Sequence, residues 1–239
     1  TILSGDIDQD STLANNSYHV IFNDNNGLDS TAILEGFTIA GGHANLSSSL
    51  FDIGGGMLNL SSSPHLINCT FRDNLASNQG GGMYNSSSSP ILTNCKFQSN
   101  SADGEGGGMY NFLSSSPQLV NCSFQGNSAD DEGGGMYNIF TSSPQLINCS
   151  FQGNSAGSGG GGLYNVNFSV PTLTNCILWE NGDEIVNVGP STATISFSIV
   201  RGGYAAGTNI LDVDPLFVDT TNGDLRLLPC SPAIDAGTA

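Results

Sequence analysis

Positive charge is almost missing from this 239-residue chain. Arg72, Lys96, Arg201 and Arg226 are its only lysines and arginines, set against 21 acids, for a formal net charge of −17. A phosphate backbone needs clustered Lys and Arg, so nucleic acid is excluded as a partner. The same balance disfavours anionic membrane surfaces. No apolar run is long enough to span a bilayer, so direct membrane insertion is not expected. No segment carries the 3.6-residue apolar period of an amphipathic helix either. The chain opens on "TILSGDIDQD" without Met, as a processed or excerpted chain does.

Glycine, serine and asparagine are plentiful, and they recur in register. Triple glycines start at Gly54, Gly80, Gly106, Gly133 and Gly160, in steps of 26, 26, 27 and 27 residues. Pro64, Pro90, Pro117, Pro144 and Pro171 follow, then Cys69, Cys95, Cys122, Cys149 and Cys176, then Asn74, Asn100, Asn127, Asn154 and Asn181. Proline to cysteine is always five residues, and the variable residue lies between glycine and proline. That segment is therefore a loop, and the constant spacing elsewhere marks strands. In "PQLINCSF", Leu146, Cys149 and Phe151 are set off by polar Asn148 and Ser150, close to the period of a strand.

A unit of two or three short strands cannot bury its apolar side alone and must stack on its neighbours. The prediction is an all-β, right-handed parallel β-helix of eight or nine coils of 21–32 residues, with a regular 26–27-residue repeat in the centre. Residues 1–53 would form irregular N-terminal coils, 54–181 five regular repeats, and 182–239 irregular C-terminal coils of a single solenoid about 40 Å long. "LEGFTIAGGHA" and "ISFSIVRGG" extend the register. They put Phe37 and Phe197 in the cysteine column and Gly42 and Gly202 in the asparagine column.

The string "LEGFTIAGG … GGGMYN … SSPQLVNCSF … DVDPLF … SPAIDAG" resembles bacterial β-helix repeat proteins with a choice-of-anchor tail. The alternation of "GGGM" with "FRDN", "FQSN" and "FQGN" resembles the repeats of chlamydial polymorphic outer-membrane proteins. The resemblance covers nearly the whole chain. It implies an extracellular or cell-surface rod acting as adhesin or stalk, without enzyme activity.

Equivalent cysteines on successive parallel strands lie about 4.8 Å apart with parallel Cβ vectors, where a disulfide wants Cβ atoms about 3.8 Å apart and converging. The column Cys69, Cys95, Cys122, Cys149 and Cys176 is therefore expected to be a stack of buried free thiols; Cys230 lies outside it. The FxxN asparagines are expected at turns, where they can adopt left-handed geometry and pass amide hydrogen bonds between coils. Met57, Met83, Met109, Met136 and Leu163 form an inward column. By period two, Tyr84, Tyr110, Tyr137 and Tyr164 then point outward, either stacked on one another or offering a platform to sugars or to another rod.

Asp6, Asp8 and Asp10 in "DIDQDS" are spaced like the first half of a calcium loop, without its glycine and terminal glutamate. No cofactor is required by the repeat, and calcium is the one candidate. Asp103 with Asp130, and Glu105 with Glu132, stack in the loop before the glycines. Glycosylation sequons stand at Asn15, Asn45, Asn59, Asn68, Asn85, Asn121, Asn148 and Asn167.

Three functions compete. A non-enzymatic rod or adhesin follows from distinctive residues that all belong to columns; with no capping helix at either end, such a rod would self-associate end to end. A polysaccharide lyase or glycoside hydrolase would need a base among Arg72, Lys96 and Arg201, or the loop acids as a pair. A carbohydrate-binding module would use the tyrosine row.

Overall fold

The computed structural model describes residues 1–8, 12, 15–47 and 50–237. Every regular element among them is a β-strand. A central coil shows the plan: Met109–Phe112, Gln118–Val120, Ser123–Gln125 and the short Ser128–Ala129. Each strand pairs in parallel with its equivalents one repeat before and after, as in Tyr84↔Tyr110↔Tyr137 and Phe97↔Phe124↔Phe151.

Stacking these strands gives four columns. The methionine sheet runs from Ile21–Asp24 to Ile185–Asn187, and the two-residue strands form a ribbon from His43–Ala44 to Ser155–Ala156. The leucine and phenylalanine sheets begin at Ile33–Glu35 and Ile2–Ser4. One long strand, Thr194–Val200, joins both, and Thr208–Leu211 pairs in parallel beyond it.

The interior is made of like residues in line. Phe71, Phe97, Phe124 and Phe151 are fully buried, with ring centroids 4.8, 4.6 and 4.5 Å apart and planes within 4° of parallel. Leu66, Leu92, Leu119, Leu146 and Leu173 and the methionines fill the rest. A buried residue of this kind contributes about 1.5–3 kcal/mol. The triple glycine follows from crowding: a Cβ on Gly107 would lie 2.1 Å from the Ser128 carbonyl oxygen, and one on Gly108 would lie 2.5 Å from that of Gly135. Gly106, at φ 71°, supplies the left-handed turn that starts the strand.

The thiols of Cys69, Cys95, Cys122, Cys149 and Cys176 are free and buried. Each points at the carbonyl of the leucine-column residue one coil back, at 3.4 to 3.6 Å. The next thiol in the row and burial together push Cys95 up to about 12, and Cys69 and Cys122 further still. For Cys149 burial is the leading cause of a pKa well above the ordinary thiol value.

Two amide ladders run through the interior. In one, seven asparagines each donate Nδ2–H to the Oδ1 of the next: Asn23, Asn59, Asn85, Asn111, Asn138, Asn165 and Asn187, at 2.8 to 3.0 Å. It ends on the Tyr204 hydroxyl, which donates to the Ala193 carbonyl. These asparagines sit two residues after Met and share its inward face. The other ladder is the FxxN column from Asn74 to Asn181, each amide also donating to the carbonyl of the phenylalanine-column residue one coil back. Buried Glu184 ends it, its Oε2 accepting from Asn181 Nδ2–H and its Oε1 from the Asn181 backbone N–H. Burial holds that carboxyl above its ordinary pKa.

The structure corrects three expectations of register. The FxxN asparagines are not the left-handed residues. That conformation falls one position earlier, at Asp73, Ser99, Gly126, Gly153 and Glu180, and also at the residue before each cysteine: Asn68, Asn94, Asn121, Asn148 and Asn175. Phe197 is not in the cysteine column. Ile177 pairs with Ile199, so Ser198 lies over Cys176, to whose N–H it offers its hydroxyl, while Phe197 takes the left-handed corner at φ 50°. The same pairing puts Gly203, not Gly202, three residues past Val200, where Asn181 stands relative to Leu178. At the other flank Phe37 and Gly42 hold their expected places, with Ile39 over Phe71 and the Gly42 N–H bonded to Asn74.

Residues after Leu211 do not form a coil. Phe217–Asp219 and Asp224–Leu227 make an antiparallel hairpin laid along the outside of the phenylalanine sheet, where Gln125 Nε2 donates to the Thr220 carbonyl at 2.6 Å. Eight strands stack in the phenylalanine sheet and Thr208–Leu211 adds a ninth layer, giving a rod of roughly 38 Å, close to the expected length.

Candidate functional site

The tyrosine row is stacked as expected, with centroids 5.0, 5.0 and 5.2 Å apart, but it is not a platform. Tyr84, Tyr110 and Tyr137 are only 6, 4 and 7 % exposed, and Tyr164 is half-buried. The rings do point away from the methionine core, as period two requires. They are covered because the glycine loop curls over them: Cβ atoms placed on Gly80, Gly106, Gly133 and Gly160 would come within 2.8 to 2.9 Å of the tyrosine Cβ atoms. Ile53 and Leu58 continue the row as a second apolar cluster, flanked by Leu60, Phe112, Ile139 and Val166. Burial, then Asp52 and Glu105, push Tyr84 up to about 12. Tyr110 and Tyr137 are pushed further, again by burial first.

The loop acids divide. Asp103 and Asp130 are exposed; Glu105 and Glu132 are half-buried beside the tyrosines, with Gln79 donating to Glu105 at 2.8 Å. Burial and then Glu105 raise the Glu132 pKa. Among the described residues no three acids, histidines or cysteines group as metal ligands. Asp6 is half-buried, and exposed Asp8 accepts from Asn15 Nδ2. Asp10, the third residue of the calcium candidate, lies outside the described residues.

Arg72 pairs with Asp73, Arg226 with Asp224, and Arg201 lies 5.8 Å over the Trp179 ring. The polar clefts on the phenylalanine face lie beside the back-folded hairpin. One is lined by Arg72, Gln98, Gln125 and Gln152, the other by Lys96, Asn121, Asn148 and Arg226.

Sequons Asn59 and Asn85 are fully buried in the seven-amide ladder, where both ends of the carboxamide are used, so the folded rod cannot present them to a glycosylating enzyme. Asn68, Asn121 and Asn148 are exposed at the corner, amide to amide at 3.1 Å through Asn94. Asn15 and Asn45 are exposed, and Asn167 is half-buried.

A feature that sequence reasoning missed lies in the variable loop. The 26-residue coils turn there on single left-handed serines, Ser61 and Ser87. The longer coils turn on two such residues: Leu113 and Ser114, Phe140 and Thr141, Asn167 and Phe168, with φ between 52 and 66°. Left-handed backbone at bulky or β-branched residues is strained, at a cost of about 1–3 kcal/mol each. It places Leu113, Phe140 and Phe168 outward, 46, 42 and 65 % exposed.

The family model described as a right-handed β-helix region matches residues 5–197, and the chain belongs to that family. No curated protein and no solved structure matches it. Members of such a class are structural, surface-displayed or carbohydrate-active.

Proposed function

We propose that this β-helix is a non-enzymatic structural rod of the extracellular or cell-surface kind, an adhesin-type shaft. The observation that carries the reading is the use made of the repeated polar side chains. The asparagines of both interior ladders, and the Ser62–Ser88–Ser115–Ser142 row, bond to the next coil and not toward a shared pocket. Catalysis needs a few unique groups converging on one place. Likeness of the "GGGM" and "FQGN" repeats to polymorphic outer-membrane and choice-of-anchor β-helix proteins supports the surface location.

End-to-end association of such rods is part of the same reading. Exposed apolar side chains stand at both flanks, Ile2, Phe22 and Ile33 at one and Val188, Leu211 and Val213 at the other. The carbohydrate-binding alternative loses the tyrosine row as its platform.

Antibody labelling of intact source cells, paired with a reducing-end assay of the purified chain on polysaccharides, tests the reading. Surface labelling and no released ends are expected. Labelling only after permeabilisation, or release of reducing ends, would sink it.

A further inference from the structure

The exposed apolar side chains of the variable loop form a ridge across three consecutive coils. Leu113, Phe140 and Phe168 top it, and Phe112, Ile139 and Val166 tie it to the buried tyrosine cluster beneath. Phe112 meets Phe140 edge-on at 5.5 Å, which fixes the rings to each other. The left-handed backbone under each tip holds the side chain out from the coil. Beside the rings, the exposed Ser114 and Thr141 hydroxyls bond to each other at 2.8 Å and Thr141 Oγ1 donates to the Phe140 carbonyl at 2.7 Å, which leaves their oxygen lone pairs to accept from a ligand.

Charge and size decide what such a ridge can take. In a chain of net charge −17, the segments 111–116, 138–143 and 165–170 contain no charged residue at all. A second copy would bring a like-charged rod alongside, which costs repulsion. A strip two coil spacings long and one short loop wide, each about 10 Å, offers on the order of 100–200 Å², well short of the roughly 500 Å² that each partner of a stable protein pair contributes. Polyanionic chains meet the same repulsion. A neutral ligand with apolar faces and hydroxyl edges pays none of it and matches rings flanked by hydroxyls.

We propose that the Leu113–Phe140–Phe168 ridge is a binding strip for a neutral oligosaccharide, whose sugar faces lie on the rings and whose hydroxyls meet Ser114 and Thr141. This site stands independently of the rod reading, because it rests on surface residues that the ladders do not use. It is also distinct from the tyrosine row, which is covered. The sugar is a free chain.

The test is titration calorimetry of the full chain, shown by intact mass to carry no glycan, against neutral gluco-, manno- and N-acetylglucosamine oligosaccharides, with oligogalacturonate as the charged control. A Phe140→Ser, Phe168→Ser double variant serves as the site knockout. Both residues are exposed, so the melting temperature should hold. Saturable binding of a neutral sugar, weakened about tenfold or more in the variant and absent for the uronate, is expected. No binding by any neutral sugar overturns the proposal, as does binding that survives the double variant. Sedimentation showing a dimer that only the parent chain forms would also overturn it, by making a second copy the occupant.

Discussion

Replacing Asn111 by alanine interrupts the seven-amide ladder at its midpoint. Asn85 Nδ2–H loses its acceptor at 3.0 Å and Asn138 Oδ1 loses its donor at 2.9 Å, both in a fully buried environment that water does not reach. Each orphaned group costs about 1–3 kcal/mol, so the variant should lose about 2–6 kcal/mol. Asn23→Ala removes the first rung and orphans only Asn59 Oδ1, so it should lose about 1–3 kcal/mol. For a chain of this length the midpoint variant should melt about 4–24 °C lower, at about 2–4 °C per kcal/mol. Asn111→Asp adds a pH signature. An ionised carboxylate can accept from Asn85 but has no hydrogen for Asn138, so burial raises its folded pKa above the unfolded value of about 3.9. The variant should therefore weaken as pH rises through that unfolded value, while the alanine variant should not. Denaturant midpoints with unchanged slopes measure the effect. A loss under about 0.5 kcal/mol for Asn111→Ala, or one equal to that of Asn23→Ala, would refute the ladder as a cooperative buried element.

Two further outcomes follow from the same interior. Alkylation of the native chain should label Cys230 alone and leave the five column thiols intact, whereas the denatured chain should take up label at all six cysteines; a second adduct on native protein would show that the column opens. The tyrosine column should make the fold sensitive to alkali. With folded pKa values raised from 10.0 to about 12 at Tyr84 and further at Tyr110 and Tyr137, stability is full below pH 10 and falls as pH climbs above it, because the unfolded chain sheds those protons first. Phenolate absorbance from these residues should rise with loss of circular dichroism; titration near 10 in an intact fold would contradict their burial.

The stack itself was readable from the amino-acid order because equivalent residues repeat at a fixed interval, and a parallel coil converts interval into contact. Cys122 over Cys95 and Phe124 over Phe97 follow from that alone. Direction was readable too: Tyr110 does point away from Met109. Exposure was not, because period two gives the direction of a side chain but not whether the chain just before it folds back over the ring, as Gly106 does at Tyr110. The asparagine two residues after Met was visible in every repeat, yet its role as a rung needed period two to be carried one step further than the tyrosine. At Phe197 the repeat had lapsed. Without its cysteine or proline, one apolar residue offers no anchor against a slip of one position, and the hydrogen bond from Cys176 N–H to Ser198 fixed the register instead.

The corner that carries the ridge has one property that the rest of the coil lacks. Asn85 bonds to Asn111 on one side of it, and the Ser88 N–H bonds to Ser115 Oγ on the other, although the second coil has one residue more between those two contacts. Among the central coils, length is therefore a free variable at this place and fixed elsewhere. New loops could be grafted there, or accumulate by drift, without disturbing a single rung of the interior. Surface chemistry and mechanical integrity are thus inherited separately along this chain.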